Sequence, residues 1–275
     1  MIIVIQCDDR IGLVAAVSGV IQQNSLNIIS LREHVDLEAR RFYIRIQTDH
    51  HADTLTLENA LRQVLPENAR VEVDPQPLKK VVVLVTKEYH CLADILIRNY
   101  YGKLGGQVLA VIGNHDTLQD ICKRFDIPFY LISHEDKTKP EFEDDVAQII
   151  SSYTPDYIVL AKFMRILSAD FVSRFNARLI NIHHSFLPAF MGASPYRQAF
   201  ERGVKLIGAT AHFVTSELDQ GPIIAQEIIS VNHAFTVADM MKAGKEVETA
   251  VLAKALKLVF EDRVFISNNK TVVFE

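Results

Sequence analysis

Tryptophan is absent from the 275 residues, and cysteine occurs three times, at Cys7, Cys91 and Cys122. These thiols are far apart and form no Cys-x-x-Cys pair, which argues against a disulfide frame or a thiolate zinc site. They read as small buried apolar residues of a soluble, cytoplasmic protein. No apolar run approaches the roughly 20 residues of a membrane span. The opening MIIVIQCDDR reads as a strand, not a signal peptide. Charge of one sign is also scarce: a net charge of -5 from interspersed acids and bases leaves no basic field for nucleic acid or an anionic membrane. Glycine is missing where a nucleotide-binding α/β protein needs it. The turn Thr86-Lys87-Glu88-Tyr89-His90-Cys91 has none, which disfavours a nucleotide cofactor there, although Lys87 and His90 can still touch a polar ligand.

What is present is an apolar content of 49%, ample for one large core or two ordinary ones. Ile2 to Cys7 is a short apolar strand, and Ile11, Val14, Val17 and Ile21 follow at helical spacing with Gly12 at the turn. A hairpin is expected from Asn27–Val35 and Arg41–Thr48, then a helix through Leu57, Leu61 and Val64 and a strand at Ala69–Val73. The order is βαββαβ, a ferredoxin-like pattern over residues 1–76. Pro75-Gln76-Pro77-Leu78-Lys79-Lys80 is a stiff, solvated linker, and a second domain is expected over 81–275.

Val81–Val85 is a continuous apolar run, as in a parallel strand buried on both faces. Strands at Val108–Ile112, Phe129–Ile132, Tyr157–Leu160 and Leu179–Ile182 alternate with helical segments, the pattern of an open, mostly parallel, Rossmann-like sheet. His134–Asp145 reads as a solvated loop entering a helix at Val146–Tyr153, and an irregular segment runs through Gly192 to Pro195.

The chemistry gathers at the end of the strand Leu179–Ile182. Asn181 and His183 can both donate to a carbonyl oxygen that becomes an oxyanion, while Asp219, held at a bend before Gln220-Gly221-Pro222, can order a water or accept its proton. In that second role Asp219 would be helped by a raised pKa. Ser185 lacks the Gly-x-Ser-x-Gly elbow of a serine nucleophile. A metal held by His183, His184, His212 and Asp219 is disfavoured, because adjacent histidines in an extended segment point apart. His184 and His212 retain a packing role as an alternative.

The run Asn181-Ile182-His183-His184-Ser185-Phe186-Leu187-Pro188-Ala189-Phe190, then His212-Phe213-Val214 and Leu218-Asp219-Gln220-Gly221-Pro222, resembles the formyltransferase fold of folate-dependent enzymes. The leading segment, through Asp9-Arg10-Ile11-Gly12-Leu13-Val14 and Asn27-Ile28-Ile29, resembles an ACT domain. Together they are similar to the formyltetrahydrofolate deformylase family. The resemblance implies a hydrolase that splits 10-formyltetrahydrofolate into tetrahydrofolate and formate, supplying formate for purine biosynthesis and balancing one-carbon folate pools. It places the catalytic amide, imidazole and carboxylate on Asn181, His183 and Asp219, and folate contacts on Met164, Arg165, Ile166, Leu167 and His212. An amino-acid effector would meet Asp9, Gly12, Leu13 and Asn27, and the chain would be a homo-oligomer. No metal or cofactor is implied, folate being the substrate. Transfer of the formyl group to an amine, or a silent amino-acid sensor, are the alternatives. The glycine-free turn, and His184 where the purine-pathway transferases typically have proline, fit water as acceptor.

Overall fold

The structure, a computed structural model, describes residues 1–75, 78–189 and 195–275. Gln76 and Pro77 of the expected linker, Phe190, and the expected irregular segment up to Ser194 lie outside the described residues. Among the described residues no helix is long and apolar enough to cross a membrane. The chain forms two compact units: Met1–Pro77 with Glu261–Ser267 and Thr271–Glu275, and Leu78–Phe260 with Asn268–Lys270.

In the first unit β1 (Ile2–Asp8), α1 (Leu13–Gln23), β2 (Ile28–Asp36), β3 (Arg41–Thr48), α2 (Thr54–Val64) and β4 (Arg70–Val73) follow the expected βαββαβ order. The strands form an antiparallel sheet ordered β2-β3-β1-β4. Alternation puts Ile3, Ile5 and Cys7 of β1 on one face, where they share a core with Val17 and Ile21 of α1 and Leu57 and Leu61 of α2. Side chains from the end of the chain meet Tyr43, whose neighbours Phe42 and Ile44 belong to that helix-covered core. Phe265 packs edge-on against the Tyr43 ring at 5.5 Å and against Phe274 at 5.4 Å. The last strands, β12 (Val264–Ser267) and β13 (Lys270–Val273), pair with each other. The unit boundaries therefore differ at the closing residues from a single domain over 81–275.

The second unit contains β5 (Lys79–Val85), α3 (His90–Tyr100), β6 (Gly106–Gly113), α4 (Gln119–Arg124), β7 (Phe129–Leu131), α5 (Lys139–Tyr153), β8 (Tyr157–Leu160), α6 (Ala169–Arg174), β9 (Leu179–His183), α7 (Pro195–Glu201), β10 (Leu206–Phe213), β11 (Ile223–Ser230) and α8 (Val237–Phe260). Its seven-stranded sheet is ordered β11-β10-β9-β8-β5-β6-β7. Only β10 runs against its neighbours. Val81–Val85 is fully buried, as a central strand covered on both faces requires. The carboxyl ends of the parallel strands face one way, and an open α/β sheet presents its ligand crevice there.

Two helices, α6 and α8, have no counterpart in the sequence reading, and α5 begins well before Val146. Thr138 caps α5 in a reciprocal box with Glu141, and a proline sits in its first turn. The segment read as solvated loop is thus partly helical, and its Glu143 is buried.

Candidate active site

Asn181 and His183 sit two residues apart on β9 and so share one face of the sheet. Across the β9–β10 ladder His212 pairs with Asn181, placing their side chains together. His212 Nδ1 lies 2.9 Å from the Phe213 carbonyl oxygen, which can only accept, so the proton is on Nδ1. Burial, with 2% of the residue exposed, holds the ring below the ordinary histidine value, against the backbone hydrogen bond and the Asp219 charge. The neutral ring then offers a bare Nε2, 3.3 Å from Asn181 Nδ2, which donates to it. One amide N–H of Asn181 is thereby fixed, and the other is left for a ligand.

Asp219 occupies the loop between β10 and β11 in a left-handed conformation, φ 56°. The bend behind it is too tight for any side chain: a Cβ on Gly221 would lie 1.7 Å from the Phe213 carbonyl oxygen. Asp219 Oδ1 is 3.2 Å from His183 Nδ1 and 3.9 Å from His212 Nε2. Burial alone would raise the Asp219 carboxyl, but the His183 hydrogen bond and the charges of His183, His212 and His184 outweigh it and leave it below the ordinary carboxylate value. The expectation of a raised value is therefore overturned, because partner charges beat desolvation. Asp219 is an ionised support for the imidazole.

His183 Nε2 is buried and has no hydrogen-bond partner among the described residues. His184 stacks on His183 with ring centroids 5.0 Å apart, so the adjacent histidines do not point apart as expected. β9 ends at His183, and His184 has left the strand's alternation. Burial, reinforced by the Lys162 and His183 charges, pushes His184 down to about 4. The Ser185 hydroxyl donates to the Ala189 carbonyl, a structural bond.

These groups open into a cleft of about 370 Å³ also lined by Met164, Arg165, Ile166 and Leu167. All the residues expected to contact the reacting group or the folate thus line one cavity. The loop that carries the four is pinned at both ends. Met164 N–H donates to Thr86 Oγ1 at 2.9 Å, and Ser168 N–H to Glu143 Oε1 at 2.7 Å, with the Ser168 hydroxyl on the same carboxylate. The Arg165 guanidinium lies 5.9 Å over the Phe142 ring. Thr86 and Glu143 come from segments to which the sequence attached no such role.

A second polar group was also missed. Glu248 of α8, 1% exposed, accepts from His90 Nε2 at 2.7 Å and Tyr196 Oη at 2.7 Å, and pairs with Lys162 Nζ at 3.2 Å. Burial raises its carboxyl, but these partners more than offset that and bring it to about 2. His90, Cys91 and Glu248 set three ligand-type atoms within 4.8 Å of one another. Burial pushes the Cys91 thiol far up, away from the thiolate a metal needs, and the Lys162 ammonium already sits on the carboxylate. Lys162 itself is buried with φ 62°, a costly conformation for a lysine that marks the spot as specialised.

The proposed effector residues are not brought together within one chain. Gly12 caps α1 with φ 90°, beside Asp9 and Leu13 at the end of β1 where Asp8 pairs with Arg41. Asn27 precedes β2 at the opposite end of the sheet, where Ile28 pairs with Thr48.

Residues 79–256 match the family model described as formyl transferase. The chain is 50% identical over 272 residues to a formyltetrahydrofolate deformylase of Haemophilus influenzae, covering 99% of this chain and 98% of that protein. It is 49% identical to the Escherichia coli deformylase, covering 97% and 95%. A crystal structure of a deformylase from Pseudomonas syringae superposes with a TM-score of 0.94 at 38% identity, covering 100% of this chain and 94% of that one.

Proposed function

The chain belongs to the formyltetrahydrofolate deformylase family, and we propose that Asn181, His183 and Asp219 carry its reaction. It is a hydrolase, splitting 10-formyltetrahydrofolate with water into tetrahydrofolate and formate. The folate lies against Met164–Leu167 with its formyl group at the end of β9. Asp219, ionised, accepts from the Nδ1–H of His183 and so turns Nε2 to the substrate, where, carrying a proton, it donates to the formyl oxygen beside the free N–H of Asn181. Asp219 Oδ2 orders the attacking water. As the water oxygen bonds to the formyl carbon, negative charge on the formyl oxygen is met by the two donors. The C–N10 bond then breaks, N10 keeps a proton that originated on the water, and formic acid ionises to formate.

The observation that carries this reading is the convergence of the three polar groups on a cleft whose other wall is the Met164–Leu167 loop. No further cofactor is needed, since amide, imidazole and carboxylate supply every donor and acceptor the hydrolysis uses. The test is to incubate the chain with 10-formyltetrahydrofolate and no amine acceptor. Formate and tetrahydrofolate should appear in equal amounts, and Asp219→Asn should bind the folate but not turn it over.

The released formate serves purine biosynthesis and balances the one-carbon folate pools in the cytoplasm. Three buried, unpaired cysteines support a reducing compartment. The first unit is the oligomer contact and the seat of any amino-acid effector: β2 is an edge strand, and Ile11, Val14 and Ile29 are exposed apolar residues. An effector bridging Asp9, Gly12 and Leu13 to Asn27 would draw them from different copies. Sedimentation with and without a panel of amino acids tests both points.

A further inference from the structure

A second cavity of about 330 Å³ adjoins the folate cleft, and Lys162, Met164 and His184 line both. Its inner wall is the buried Lys162–Glu248 pair with the partly buried His90 and Tyr196 on the same carboxylate. His90 Nδ1 is also buried, with no hydrogen-bond partner among the described residues and Glu88 Oε2 at 3.8 Å. Nearer solvent, Lys245 Nζ pairs with Glu88 Oε2 at 2.6 Å. Arg197 lines the same cavity, and among the described residues its guanidinium has no ion-pair partner. Among the described residues lining the cavity, Lys162, Lys245 and Arg197 are thus set against two carboxylates, Glu88 and Glu248, and one positive charge is left over.

We propose that this second cavity is a small-carboxylate site that takes the formate product, with Arg197 as its anchoring cation. The inference rests on the deformylase reading above. Formate forms beside His183, whose ring stacks on His184, and His184 is a wall shared with the second cavity. While tetrahydrofolate still fills the first cleft, the route past His184 and Lys162 leads the anion toward an unmatched positive charge. A guanidinium suits the task because its parallel N–H groups bind a carboxylate in two places at once. The volume is ample for formate with several hydrating waters.

Tetrahydrofolate formation followed with added sodium formate tests the site. Formate should inhibit noncompetitively against 10-formyltetrahydrofolate, because the two occupy different cavities, while sodium chloride at equal ionic strength has little effect. Arg197→Gln should raise the formate inhibition constant about tenfold, the loss of one charge-assisted contact. Its kcat and KM without formate are measured in the same assay, as the reference for that inhibition constant. Competitive inhibition, inhibition no stronger than that by chloride, or an inhibition constant unmoved in Arg197→Gln would overturn the formate site while leaving the deformylase intact. A wild-type chain that forms no tetrahydrofolate would overturn both.

Discussion

Asp219 Oδ1 lies 3.2 Å from His183 Nδ1, while the opposite nitrogen of the same ring is buried with no hydrogen-bond partner among the described residues. The carboxylate therefore sets which face of the imidazole meets the substrate. Replacing Asp219 by Asn removes the carboxylate that accepts from His183 Nδ1 and can turn the ring to the wrong tautomer. A loss in kcat of about 10²–10⁴ is expected, with KM changed little. Formate release under saturating folate measures it.

The His212–Asn181 contact makes a different prediction. Asn181→Ala removes the proposed oxyanion donor and should lower kcat by about 10²–10³. His212→Leu leaves the amide in place but frees it to rotate, so kcat should fall about tenfold or more with a smaller change in KM. If KM rises and kcat holds, His212 contacts the folate and does not position Asn181.

His184 gives the protein an acid-labile element. Its folded value, about 4, lies below the ordinary 6.5, so between those two pH values the unfolded chain binds the proton and the folded one does not. Stability is then fully present above pH ~6.5 and declines as pH falls toward ~4. Urea unfolding across that window should show the decline in the wild type, and a shallower one in His184→Leu.

Glu248 holds three partners at once, the buried Lys162 among them, so Glu248→Gln leaves the Lys162 ammonium in a dry place without its counter-charge. A destabilisation of about 3–5 kcal/mol is expected from denaturant midpoints. Gly244→Ala should disturb the same group sterically, because its Cβ would fall 2.1 Å from the Tyr196 hydroxyl that donates to Glu248.

Gly221→Ala tests the Asp219 bend. With the new Cβ aimed at the Phe213 carbonyl, the loop must move, and Asp219 moves with it. Activity should fall by at least about 10²-fold, since a displacement of about 1 Å in a reacting group already has that effect. Circular dichroism should stay near wild type.

Much of the frame is legible in local pattern. Val81–Val85 reads as a central strand because covering both faces of a strand demands an unbroken apolar run, and β1 to β4 read from alternation and turn residues. Asn181, His183 and Asp219 stand out because an amide, an imidazole and a carboxylate at a strand end and a tight bend are costly unless used. α5 was read too short because Glu141, Glu143, Asp144 and Asp145 look solvated, whereas Glu141 caps the helix and Glu143 is buried against Ser168. α8 went unread although its buried stripe includes Val247, Val251 and Ala255.

The sequence by itself determined the order of most of the elements, the residue types available for acyl chemistry and the absence of a glycine-rich cradle in the first turn, since each is a property of neighbours along the chain. Only the tertiary structure decided how those residues behave. The depression of Asp219 by His183, the contact of His212 with Asn181 and the meeting of Lys162 with Glu248 all depend on groups far apart in sequence. Electrostatic energy follows distance and burial in space, and the sheet of the second unit is what sets both.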